Sequence, residues 1–101
     1  SPEQIAILPI SEKYHDYAQQ VYDRLQQDDI RGYVDNRDEK IGRKIRDAEV
    51  RKVPYMLIVG EKEQENGAVS VRRHGEGDLG SMSVEEFSTF FQGKIAEMLN
   101  K

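Results

Sequence analysis

Apolar positions along the chain alternate between two spacings, and the alternation itself predicts the fold. Within residues 4–10, Ile5, Ile7, Leu8 and Ile10 read as a short buried strand that stops at Pro9 and Ser11. Ser11 is placed to cap a helix in which Tyr14, Ala18, Val21 and Leu25 recur at steps of four, three and four, ending near Asp28. Residues 30–35 give a second strand with Tyr33 and Val34 as its buried pair. The turn-forming run Asp35-Asn36-Arg37-Asp38 then leads to a second helix over residues 39–51, packed through Ile41, Ile45 and Ala48. Pro54 precedes the strongest strand signal, Tyr55-Met56-Leu57-Ile58-Val59, whose unbroken apolar run implies burial on both faces.

Past that strand, Glu65-Asn66-Gly67 predicts a hairpin turn, because Asn-Gly accepts positive φ at both central positions. Residues 68–73 return as an antiparallel strand with Val69 and Val71 on one side and Ser70 and Arg72 on the other, and residues 75–80 read as a loop. The last helix opens with a capping box, Ser83 with Glu86, and a hydrophobic staple, Met82 with Phe87. Phe87, Phe91, Ile95 and Met98 form its stripe. Right-handed crossovers make the first three strands parallel in order 2-1-3, with the hairpin strand added beside the third. The expected architecture is one α/β domain over residues 1–101: a three-layer, mostly parallel mixed sheet with three helices.

Composition narrows the class. Hydrophobic residues at 37% and charged residues at 34% are the balance of a soluble globular protein. No apolar run approaches the ~20 residues of a membrane span and no basic-then-apolar leader opens the chain, so a cytoplasmic protein without a membrane partner is expected. The absence of cysteine excludes disulfides, thiolate nucleophiles and sulfur-ligated zinc.

Charge is distributed unevenly. Residues 31–52 hold eight bases and five acids, a local +3 inside a chain of net −4. Two i,i+4 pairs, Glu39 with Arg43 and Asp47 with Arg51, account for part of this, at a few tenths of a kcal/mol each. Lys44, Arg46 and Lys52 lack such a partner and are the cations most available to an anionic ligand; the other reading is a solvated helix face. Gly42, early in the second helix, implies a close approach by backbone or ligand, or a helix that begins after it.

Catalytic chemistry is not signalled. His15 and His74 are the only imidazoles, and neither sits in a nucleophilic or metal-binding pattern. The carboxylates of Glu61, Glu63 and Glu65 have nothing apolar around them to raise a pKa, and the glycines form no phosphate-cradling loop. The chain is expected to bind a partner, with no catalytic residue, metal or cofactor of its own.

Four stretches at fixed separations carry a resemblance: Glu39-Lys40-Ile41-Gly42-Arg43-Lys44-Ile45-Arg46, Val53-Pro54-Tyr55, Val59-Gly60-Glu61-Lys62-Glu63, and Asp78-Leu79-Gly80-Ser81-Met82. Together they resemble the anticodon-binding domain at the C-terminus of class II aminoacyl-tRNA synthetases of the threonyl, prolyl, histidyl and glycyl group, and the threonyl members most of all. The resemblance implies a parent ligase, homodimeric, that joins threonine to tRNA with ATP, Mg and Zn in a catalytic domain outside this chain. It also implies that Glu63 and Arg72 contact anticodon bases. Asp38 and Lys52 stand where the family often has Asn and Arg; an Asp cannot donate to a base acceptor, and a Lys lacks the planar fork. Lys44 and Arg46 are candidates for the RNA backbone.

The chemistry agrees with that mode. Unstacked bases in an RNA loop are read on their edges by a few placed donors and acceptors, which Glu63 and Arg72 could supply by converging at one sheet edge. Read without the resemblance, the same two residues make a cross-strand ion pair worth roughly 0.2–1 kcal/mol. A prolyl, histidyl or glycyl anticodon domain and a synthetase-like protein-interaction module are the alternatives.

Overall fold

The computed structural model describes residues 3–100. β1 (Ile5–Pro9), α1 (His15–Gln26, entered through a 3-10 turn at Glu12–Tyr14), β2 (Gly32–Val34), α2 (Ile41–Val50) and β3 (Tyr55–Val59) alternate as the pattern predicts. They are followed by α3 (Glu61–Asn66), β4 (Ala68–Arg73), β5 (Gly77–Ser83) and α4 (Val84–Leu99). The sheet has five strands in order β2-β1-β3-β4-β5, with β1 parallel to both β2 and β3, and β4 antiparallel to both β3 and β5.

Two expectations are corrected. β3 and β4 are antiparallel neighbours, but α3 joins them in place of a tight hairpin. Glu61-Lys62-Glu63-Gln64-Glu65 are strong helix formers, and Gly67, at φ +60°, ends their helix as a left-handed cap. Residues 77–80, read as loop, belong to the edge strand β5, so among the described residues the α-helices number four and the strands five.

The sheet has two unequal cores. On one face Ile5, Ile7, Tyr55, Leu57, Val59, Val69 and Val71 meet Ala18, Val21 and Leu25 of α1 and Phe87 and Phe91 of α4. Tyr55 there stands edge-on to Phe87, Phe90 and Phe91, with centroids 5.9, 5.7 and 5.8 Å away, the favoured aromatic geometry. On the other face Ala6, Leu8 and Met56 meet Ala48 of α2, with Tyr33, Ile41, Ile45 and Ile58 packed around them. β3 is therefore covered on both sides. Gly32 is dictated by close approach, because a Cβ there would lie 2.0 Å from the Ile5 carbonyl oxygen. Gly42 has open space around it and lies one residue inside the start of α2, so no neighbouring backbone requires it.

Candidate nucleic-acid interface

α2 packs against β1, and among the described residues the core it covers holds no residue of β4 or β5. Arg72 lies on the α2 side of the sheet: it is opposite Met56 of β3, whose side chain belongs to the α2-side core. The β4–β5 register slips between Val71 and Arg72, pairing Val71 with Gly80 and Arg72 with Asp78, so that Leu79 is the extra residue of a bulge beside the arginine. Bulges re-aim side chains. The Asp78 carboxylate is turned to its own strand, accepting from the Gly80 N–H at 2.7 Å. Arg72 is half-buried, its Nε is shut off from water, and no protein acceptor reaches that atom. A guanidinium N–H in that state is unusual, since buried donors are nearly always paired.

Glu63 is the third residue of α3, not the end of a strand. Its Oε1 accepts from the Gly60 N–H at 2.8 Å, which caps the helix. Its charge also acts on Tyr17 of α1, whose hydroxyl pKa is raised by burial first and by Glu63 second. Arg72 is level with the second residue of β3, whereas Glu63 follows that strand on α3, and among the described residues the two form no ion pair. Bonds to the backbone at Gly60 still leave Glu63 a second carboxylate oxygen.

Lys44, expected to be among the most available cations, is 1% exposed. Its Nζ donates to the carbonyls of Pro9 at 2.9 Å and Asp35 at 3.0 Å, tying α2 to the ends of β1 and β2. The correction has a simple cause: position 44 falls between Ile41, Ile45 and Ala48 on the inward face of the helix. Burial pulls its pKa down.

Arg46, in contrast, is exposed on α2 and unpaired among the described residues. Lys52 is exposed too, at φ +60°, in the left-handed position of a helix-ending motif closed by Val53 N–H to the Ala48 carbonyl at 3.1 Å and Lys52 N–H to the Glu49 carbonyl at 3.0 Å.

Asp38 is exposed in the loop before α2. That loop is fixed by Arg37, which residue-type reasoning passed over. Its Nε and Nη2 grip the buried Asp35 carboxylate at 2.9 Å each, and Nη2 also reaches Asp47 at 2.9 Å. Burial pushes Asp35 up, but the Arg37 hydrogen bonds outweigh it and hold the carboxyl below its ordinary range. Asp47 is held low by Arg37 in the same way. The i,i+4 pairs expected in α2 give way to this network: Asp47 pairs with Arg37 and Arg43, and Arg51 with Glu3. The acid two residues before Arg37 was the available signal.

The site therefore consists of an arginine with an unpartnered Nε outside the core that α2 covers, an acid at a helix cap, and scattered free cations. The family model described as "Anticodon binding domain" matches residues 4–94. The chain belongs to the anticodon-binding domain family. It is 65% identical over 99 residues to a threonine–tRNA ligase of Cytophaga hutchinsonii, covering 98% of this chain and 15% of that protein. To the threonine–tRNA ligase of Bacteroides thetaiotaomicron it is 59% identical over 101 residues, covering the whole chain and 16% of that protein. The crystal structure of the RNA-binding domain of threonyl-tRNA synthetase from Cryptosporidium parvum Iowa II superposes with a TM-score of 0.87 at 27% identity, over 92% of this chain and 24% of that one. The chain thus spans about one-sixth of the length of the curated relatives it matches. The superposition covers most of this anticodon-binding domain, whose four α-helices among the described residues correct the three-helix expectation.

Proposed function

We propose that this domain reads the anticodon loop of a threonine tRNA on behalf of a threonine–tRNA ligase. The observation that carries the reading is Arg72, a half-buried guanidinium with a shielded, unsatisfied Nε, on the α2 side of the sheet but outside the core that α2 covers. A base carbonyl or phosphate oxygen would meet the outer N–H groups of the fork, and would supply the acceptor Nε lacks once the side chain swings out on binding. Glu63 contacts a second base through the carboxylate oxygen that the cap does not use, and Lys52 and Asp38 flank the same loop. Arg46 supplies a backbone phosphate contact. Lys44 supplies none directly and instead holds the start of α2 in place.

Ligation, threonine, ATP, Mg and Zn belong in this reading to the larger catalytic portion of a homodimeric, cytoplasmic ligase. Among the described residues no group of three or more His, Cys, Asp or Glu is placed to hold a metal ion, and no helix is long and apolar enough to cross a membrane. The test is direct binding of a threonine anticodon stem-loop to the purified chain at low salt, with a stem-loop of unrelated anticodon as control. Preference for the threonine loop supports the reading, and equal binding of both refutes it.

A further inference from the structure

At the end of the molecule where β3 begins, a cavity of about 360 Å³ opens between β3 and α4. That volume is within the range of small-molecule sites, roughly 300–1,000 Å³. Tyr55, Phe91, Ile95, Met98 and Pro54 form its apolar walls. Tyr55 is only 3% exposed, and its hydroxyl is closed off from water with no hydrogen-bond partner in the protein. Phenylalanine would fill the same aromatic cluster without leaving a buried hydroxyl unsatisfied, so a tyrosine here asks for a partner.

The polar groups around the cavity are mostly donors. Gln4 spends its side-chain oxygen on the Arg31 N–H at 2.9 Å, which leaves its amide NH2. Lys52, Arg73 and Lys94 line the mouth. Lys52 has no ion-pair partner among the described residues, and Lys94 holds Glu97 only at 3.5 Å. Of the two lining acids, Glu3 is taken by Arg51 and Glu97 by Lys94. Arg73 is held by Glu76 at 2.9 Å, so that apolar walls, an orphaned donor and the unpaired Lys52 at the rim select an aromatic ring that carries an anionic acceptor.

We propose that this cavity binds a small aromatic carboxylate, its ring against Tyr55, Phe91 and Ile95 and its carboxylate beside Lys52 and Lys94, accepting from the Tyr55 hydroxyl as the lining side chains that cover that atom move aside. The site shares only Lys52 with the proposed anticodon contacts and leaves Arg72 and Glu63 untouched. The experiment titrates the isotopically labelled chain with 2-naphthoate, neutral 2-naphthamide and cationic 2-naphthylmethylamine, following amide chemical shifts. Naphthoate is expected to give saturable shifts centred on Tyr55, Arg73, Phe91 and Ile95, with the amide about tenfold weaker and the cation weaker still. Tyr55→Phe should weaken naphthoate about tenfold while the free variant melts no lower than the parent. Ile95→Trp, which fills the cavity from its wall, should abolish the shifts and keeps the test open should Tyr55→Phe fold poorly. Absence of saturable shifts, equal affinity for all three probes, or undiminished binding to Tyr55→Phe would overturn the proposal. Displacement of naphthoate by an anticodon stem-loop would assign the cavity to RNA and overturn it as well.

Discussion

Lys44 is 1% exposed, and its ammonium donates to the backbone carbonyls of Pro9 and Asp35, which joins α2 to the ends of β1 and β2. The helical spacing of Ile41, Ile45 and Ala48 marks the inward face, and position 44 lies on it; charge alone misled. Lys44→Met keeps the stem but strips the Pro9 and Asp35 carbonyls of their donor. Unfolding by denaturant should show a loss of about 2 kcal/mol, the scale of leaving buried acceptors unpaired. Arg37 yields a second expectation. Asp35 and Asp47 have folded pKa values below their ordinary value of 3.8, so their contribution to stability is present above about pH 4 and lost as pH falls through the folded values. Arg37→Met should be less stable than the parent near neutral pH and approach it in acid. Parallel melting curves from pH 7 to 2.5 check this, and a constant gap across that range would show that Arg37 acts through packing.

Elements were legible where periodicity was strong. β1, α1, β3 and α4 follow from the apolar spacing, and the Ser83–Glu86 capping box forms as read, with Glu86 N–H to Ser83 Oγ at 3.0 Å and Ser83 N–H to Glu86 Oε1 at 2.7 Å. The connection from β3 to β4 was not, because Asn66-Gly67 announces a positive φ without saying whether it closes a hairpin or ends a helix; the five residues before it, all helix formers, held the answer. β5 escaped notice because an edge strand exposed along most of its length, with glycines at 77 and 80, has no apolar alternation to show. α3 gives Glu63 two tasks that substitutions can separate. Glu63→Ala loses the bond to the Gly60 N–H and should cost about 1 kcal/mol of stability. Glu63→Gln keeps an oxygen for the cap and should melt within a degree or two of the parent, yet lose discrimination among anticodon bases. Calorimetry and stem-loop binding on both variants check the pair of outcomes; equal melting of all three proteins would contradict the cap.

For the whole molecule, a net charge of −4 means that RNA is held by a few placed groups and not by bulk attraction. Sequence supplied the residue types at Glu63 and Arg72, but their separation depends on β3–β4 register and on α3, which no local pattern encodes. Arg46→Ala should lower affinity for every stem-loop alike and shallow the dependence of log affinity on log salt by about 0.7, the value for one single-strand phosphate contact. Lys44→Met should leave that slope unchanged.

The central claim is that Arg72 reads the RNA, and it is tested most directly by measuring the affinities of the parent and of Arg72→Lys for the threonine anticodon stem-loop and its single-base variants. Loss of the planar fork is expected to reduce discrimination at one anticodon position by on the order of 1–3 kcal/mol, by analogy with bidentate base contacts in DNA, with the melting temperature unchanged. Unaltered base preference in Arg72→Lys, or a uniform loss across all stem-loops, would contradict it.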